Sequence, residues 1–331
     1  MTVESLATPY GWSALDALRR LVAAGKADDP LASVTVLVPN NIAGLFVRRH
    51  LAHGLADGHP GIAGVFISTL PRLAEQLAAA SLHPRTPATA TVVAAAWRSV
   101  LADSPGVFAS VADHPATIRA LTAAHRELRD LSDAALDAVA SAGPLHASLI
   151  DLHRTATARV ARTWYDQTDL LTEAARLIAV RPAQTDRWGR IVVYLPQRLT
   201  HAELRFARAL AARAEVTVLV GLTGDQRADA AVRGVLQALG AEPVHHEALS
   251  PPIATQVIHA SDSDDEVRRI VREVIDALGS VPAHRIAVLH SGDVPYARLL
   301  HEQLPGGPLP GQPIHQHCGI VPHLPQNPRM G

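Results

Sequence analysis

Ile191 to Thr200 reads IVVYLPQRLT. Three β-branched residues and an aromatic form a continuous apolar run of strand length, the pattern of a strand covered on both faces. Pro196 closes the run, and Thr200 with Glu203 has the spacing of a helix-starting capping box. The stretch therefore predicts a buried strand feeding a helix, the repeating unit of a parallel α/β sheet. Its strand end carries Tyr194 and Leu195 and no carboxylate.

Outward from this stretch the same rhythm recurs. Val34 to Val38 is an apolar run closed by Pro39, with a helix expected from Ile42 to Leu51. Val65 to Ser68 leads into a helix through Leu70, Leu73 and Leu77, and Val216 to Val220 is a further strand. Leu15, Leu18, Leu21 and Val22 mark a helical stripe near the N-terminus. Between about Thr86 and Ile178 the strand pattern stops and helix follows helix, with Pro105, Pro115 and Pro144 at the breaks. This predicts a helical insertion in an α/β domain. Beyond Ser250, strands are expected at Gln256 to His259 and Arg285 to His290. They flank an amphipathic helix opened by a Ser263–Glu266 capping box.

The expected organisation is an α/β domain over 1–85 and 181–250, a helical insertion over 86–180, and the start of a second α/β domain over 255–304. The tail, 305–331, holds no Ala, Asp or Glu and has prolines at 305, 308, 310, 313, 322, 325 and 328. It reads as a shifted reading frame or truncated gene, with a natural proline-rich tail as the alternative, and as disordered in either case.

Bulk chemistry excludes several classes. Hydrophobic residues make up 48% and charged residues 18% of 331, the profile of a folded globular chain. The net charge of −1 gives no global basic field, so any nucleic-acid site must be a local patch. One cysteine, Cys318, rules out a disulfide framework and a cysteine-ligated zinc site. No apolar stretch approaches the ~20 residues that span a bilayer, and no signal peptide opens the chain, so a cytoplasmic location is expected. His315, His317, Cys318 and His323 could be drawn as a metal cluster but fall in the tail. No metal and no cofactor are expected.

Taken in order, these segments resemble the first half of a superfamily-one helicase of the UvrD and RecB type, with a P-loop-NTPase-like parallel sheet. In active members the acidic motif runs approximately I-L-V-D-E-F-Q-D-T. Here Ile191, Val192 and Val193 match the strand, Tyr194 and Leu195 replace the Asp–Glu pair, Gln197 is kept, and Arg198 replaces the last Asp. The resemblance implies that the magnesium-holding Asp and the water-polarising Glu are both lost. Tyr165, Asp166, Asp169, Leu170 and Leu171 resemble the D-F-x-D-L-L stretch before that strand. Val218 to Gln226, VLVGLTGDQ, resembles the nucleotide-sensing V-V-G-D-x-x-Q segment, with an extra residue and Leu222 in place of Asp. Trp12 and Ser13 align with the Lys-Ser that ends the phosphate loop, and the only lysine of the chain is Lys26.

Among such proteins the chain looks most similar to AddB-like and RecC-like inactivated subunits of actinobacterial PD-(D/E)XK helicase–nucleases. That resemblance implies a non-catalytic, DNA-binding scaffold in double-strand-break repair, lacking the distant nuclease domain. Its implied partners are single- and double-stranded DNA ends and an active AddA/RecB-like subunit. The degenerate ATP-site positions are Trp12, Ser13, Tyr194, Leu195, Gln197 and Gln226, and the expected nucleic-acid contacts are Asn40, Asn41, Arg48 and Thr69. The sequence also leaves open a divergent α/β NTPase or an interaction module with no DNA role.

Overall fold

The computed structural model describes residues 3–55, 61–242, 244–245, 256–290 and 293–304. The tail from 305, with its histidines and cysteine, lies outside the described residues. By contact the chain forms two compact units, 1–250 and 251–331.

The first unit opens with β1 (Glu4–Thr8), α1 (Trp12–Ala24), β2 (Val34–Leu37), α2 (Asn41–Ala52), β3 (Val65–Ser68) and α3 (Leu70–Ala78). A helical block follows: β4 (Thr86–Pro87), α4 (Ala90–Asp103), α5 (Pro115–Arg129), α6 (Asp133–Ala140), α7 (Pro144–Ala161) and β5 (Trp164–Tyr165). The chain then returns through α8 (Gln167–Val180), β6 (Arg190–Tyr194), α9 (His201–Ala211), β7 (Val216–Gly221), α10 (Ala230–Leu239) and β8 (Val244–His245).

Six strands form one parallel sheet in the order β3-β2-β6-β7-β1-β8. β6 lies at its centre, with Val36 paired to Val192 on one side and Val192 to Thr217 on the other. Every residue of β2 and β7 is buried, which explains why these strands read as mainly apolar runs, each carrying one buried threonine, Thr35 and Thr217. Successive side chains alternate between faces. Ile191, Val193, Val218 and Val220 join Leu73, Leu171, Ile178, Phe206, Leu210 and Leu236 in the largest core cluster, which carries α3, α8, α9 and α10. Val192 and Leu219 are as fully buried but stand outside that cluster, and α1 packs on β6 and β7 while α2 packs on β3. Connections stepping toward β3 thus place helices on one face, and those stepping back place them on the other, as right-handed crossovers require.

β1 is absent from the sequence-based reading. Glu4-Ser5-Leu6-Ala7-Thr8 has no apolar run, yet Ser5 and Thr8 are buried between β7 and β8. Ser5 compensates by donating its hydroxyl to the Glu242 carbonyl. The capping box at Thr200 and Glu203 forms as expected, through Glu203 N to Thr200 Oγ1 at 3.2 Å and Thr200 N to Glu203 Oε2 at 2.9 Å.

The helical block is not strand-free. Thr86 pairs with Trp164 and Pro87 with Tyr165, so a two-residue parallel ladder ties its ends together. Inside it, fully buried Trp97 packs with Val100, Leu101, Ile118, Leu121 and Leu152. Pro115 and Pro144 start helices rather than merely breaking them, because a first-turn proline gives up an amide that has no helical partner anyway.

The second unit has α11 (Ser263–Leu278) and α12 (Arg298–Gln303). Val267 packs with Leu299 and Leu300, flanked by Val271, Val288 and Tyr296. The strands expected at Gln256 to His259 and Arg285 to His290 do not form: these residues have no ladder partner, apart from a short 3-10 turn at Ala283–Arg285. The α11 cap is also one residue earlier than expected. The Asp262 carboxylate accepts from Asp264 N at 3.0 Å and Asp265 N at 2.9 Å, so Ser263 is the first helical residue rather than the cap.

Candidate functional site

All six strands run the same way, so the loops after β3, β2, β6, β7 and β1 emerge side by side along one sheet edge. Five neighbouring strands at ~4.8 Å spacing give an edge of roughly 19 Å. Open parallel sheets place their ligand sites at this end. Thr69, Asn40, Gln197, Thr223 and Tyr10 lie on these five loops in that order.

The loop after β1 is short. Thr8 ends the strand and Trp12 begins α1, leaving Pro9, Tyr10 and Gly11 between them. A phosphate loop needs the longer G-x-x-x-x-G-K-[ST] arc to wrap backbone amides around an anion. Gly11 turns the chain into α1 at φ 86°. The Tyr10 ring packs on the end of β7, where a Cβ on Gly221 would fall 2.3–2.6 Å from three ring carbons. Its hydroxyl accepts from Gln197 Nε2 at 3.0 Å. The tyrosine therefore bridges the ends of β6 and β7, at the place where the resemblance expects a nucleotide.

The end of β6 has no cation chemistry. Tyr194 is buried, and desolvation pushes its phenol up to about 12, so it stays neutral. Leu195 adopts φ 49° while its amide donates to the Leu219 carbonyl at 2.8 Å. A branched side chain in that left-handed region costs about 1–2 kcal/mol. The ladder bond on one side and buried Pro196 on the other hold it there. Lys26, the only lysine, is buried and donates to the carbonyls of Pro30 and Ala32, in the turn leading into β2. These residues do not fit a magnesium nucleotide.

The remaining expected site residues are dispersed. Trp12 stands at the first turn of α1 with its ring 6.0 Å from that of His50, and Ser13 beside it is half-buried. Gln226 is exposed in the turn before α10 and bonds to neither Tyr10 nor Gln197. Asn40 caps α2 by accepting from Ala43 N at 2.8 Å, while Asn41 is exposed at the first helical position. Thr69 starts α3 without a side-chain cap bond. Arg48 is exposed, but it lies seven residues along α2 from Asn41, roughly 10 Å from the sheet edge.

Several residues that organise the site carried no signal in the sequence. Asp229 is almost fully buried and accepts from Thr223 N at 2.8 Å, Thr223 Oγ1 at 2.9 Å and Gly224 N at 3.0 Å. Burial pushes its carboxyl up, but those three bonds and Arg233 outweigh it and hold the pKa below the usual range. Asp229 thus fixes the loop after β7. Asp130, at the end of α5, accepts from His201 N at 2.5 Å, tying the helical block to the start of α9.

Asp166 and Asp169 have structural partners. They form the capping box of α8, and Arg129 reaches both, with Nε 2.6 Å from Asp166 Oδ2 and Nη2 2.7 Å from Asp169 Oδ1. Burial raises the Asp166 pKa, yet the Arg129 bond and charge bring it below its ordinary value. Next to them, buried His125 and His153 lie with ring centroids 4.9 Å apart. Desolvation is the main cause that lowers both pKa values to about 4, so both rings are neutral at pH 7.

Among the described residues no group of three or more His, Cys, Asp or Glu is placed to hold a metal ion. Among them, too, no helix is long and apolar enough to cross a membrane. In comparisons with known proteins, the chain matches no protein-family model and no curated protein.

Proposed function

We propose that this chain is a non-catalytic, helicase-like DNA-binding scaffold, the inactivated-motor part of a cytoplasmic helicase–nuclease for double-strand-break repair. In this reading ATP hydrolysis belongs to a partner subunit of AddA/RecB type, and this chain holds DNA ends. The observation that carries it is Tyr10. Its ring fills the glycine gap at Gly221 and its hydroxyl takes the Gln197 amide, so one side chain occupies the strand-end space that a nucleotide would need.

Three further features support the reading. The parallel sheet with a helical block inserted between β3 and β6 has the order of elements that the resemblance implies. The loops after β2 and β3 present Asn41 and Thr69 at helix N-termini, suited to phosphate without reading sequence. The alternative of a divergent NTPase lacks a carboxylate at the end of β6 and a lysine at the start of α1.

The test is a salt titration of binding to single-stranded DNA by the purified chain. The scaffold reading expects binding that weakens log-linearly with salt as phosphate contacts release counterions. No binding at low salt leaves the interaction module without a DNA role as the better account.

A further inference from the structure

Aromatic residues are scarce in this chain, with four each of Phe, Trp and Tyr. Two of them sit in one three-residue stretch at the sheet edge, Tyr10 and Trp12, and both are exposed, at 40% and 43%. Both lie at the sheet edge after β1, the end where open parallel sheets place their ligands. Neither ring is free to collapse inward. Tyr10 is wedged on Gly221 and tethered to Gln197, and Trp12 is anchored at the start of α1 with its ring near His50.

The surrounding groups define the occupant's chemistry. The Gln197 side chain is exposed beside the Tyr10 hydroxyl, so its carbonyl oxygen remains available while its amide nitrogen is engaged. Arg198 follows it, exposed and without an ion pair among the described residues. A flat aromatic face, an amide acceptor and an unpaired guanidinium match an unstacked nucleobase with its adjoining phosphate. An apolar peptide would use neither the amide nor the cation. Stacking on a fixed aromatic is sequence-tolerant because every base has a π-face.

We infer that Trp12 and Tyr10 form a base-stacking platform for single-stranded nucleic acid, with Arg198 on the backbone phosphate. This rests on the DNA-scaffold reading and deepens it. The positions where the resemblance expects a phosphate loop carry bases instead of a nucleotide's phosphates.

The experiment measures anisotropy of a fluorescein-labelled oligothymidylate and of an abasic strand of equal length, titrated with the full chain. The intact chain should bind the oligothymidylate more tightly than the abasic strand. Trp12→Ala should weaken oligothymidylate binding roughly 5- to 150-fold, the range for loss of a stacked base. The same change should leave abasic binding unaltered, and Trp12→Phe should restore most of the loss. Arg198→Ala should instead lower the salt slope by about one phosphate. Equal affinity of the intact chain for the two strands overturns the platform without relying on any variant. Oligothymidylate binding that ignores Trp12→Ala overturns it too, and leaves the scaffold reading standing. Failure to bind either strand overturns both.

Discussion

Arg129 grips Asp166 with two parallel hydrogen bonds, Nε to Oδ2 at 2.6 Å and Nη2 to Oδ1 at 3.1 Å, across 37 residues of sequence. The arginine ends α5 of the helical block, and the aspartate caps α8, whose apolar face lies in the sheet core. This pair is one of the points that fix the block to the domain carrying the strand-end loops.

Arg129→Ala leaves the half-buried Asp166 carboxylate without its cation, while Asp169 keeps only the longer contact to Arg85 at 3.7 Å. The pair is part-buried, so losing the cation costs less than in a sealed core, about 1–3 kcal/mol. A urea midpoint for the variant should show a loss of that order, and a loss below about 1 kcal/mol contradicts the anchoring role.

Acid should weaken the helical block. His125 and His153 have folded pKa values lowered to about 4, below the ordinary 6.5 that they regain on unfolding. The folded state therefore binds fewer protons, so stability is complete above about pH 6.5 and falls as pH drops toward 4. Arg129 and Arg154 oppose protonation while Asp166 favours it. One such histidine contributes on the order of 3 kcal/mol across that window. Denaturant midpoints from pH 4.5 to 7 should rise with pH, and His125→Phe should flatten the slope. An unchanged slope in that variant counts against the assignment.

Gly221 and Tyr10 should be energetically coupled. In Gly221→Ala the new methyl meets the Tyr10 ring at 2.3 Å, well inside contact distance, so the ring must leave its seat. Overpacking of this kind costs about 1–3 kcal/mol. Tyr10→Ala removes the obstruction, so the double variant should lose less than the sum of the single ones. Additive losses in that double-mutant cycle contradict the wedge.

Much of the architecture is visible in the chain because parallel strands are buried on both faces. Val34–Leu37, Ile191–Tyr194 and Val216–Gly221 are predominantly apolar for that reason, with Thr35 and Thr217 the polar exceptions. β1 is hidden because its buried Ser5 and Thr8 look like surface residues until the sheet closes over them. Local chemistry reads well at Thr200–Glu203 and one residue out of place at Asp262, where the stronger carboxylate acceptor stands just ahead of the serine. The strands expected around α11 fail because periodicity reports an extended apolar segment but not a ladder partner. The site was legible mainly in what it lacks. The side chain that fills it was not, since Tyr10 and Gln197 are 187 residues apart and only the folded sheet brings them together.

In the proposed scaffold reading, Tyr10, Tyr194 and Leu195 stand where nucleotide chemistry would need open space and carboxylates. Calorimetric titration of the intact chain with ATP and magnesium tests this most directly. The expected outcome is no saturable binding heat, and no phosphate release over the same range. Saturable ATP binding that disappears when magnesium is chelated contradicts it.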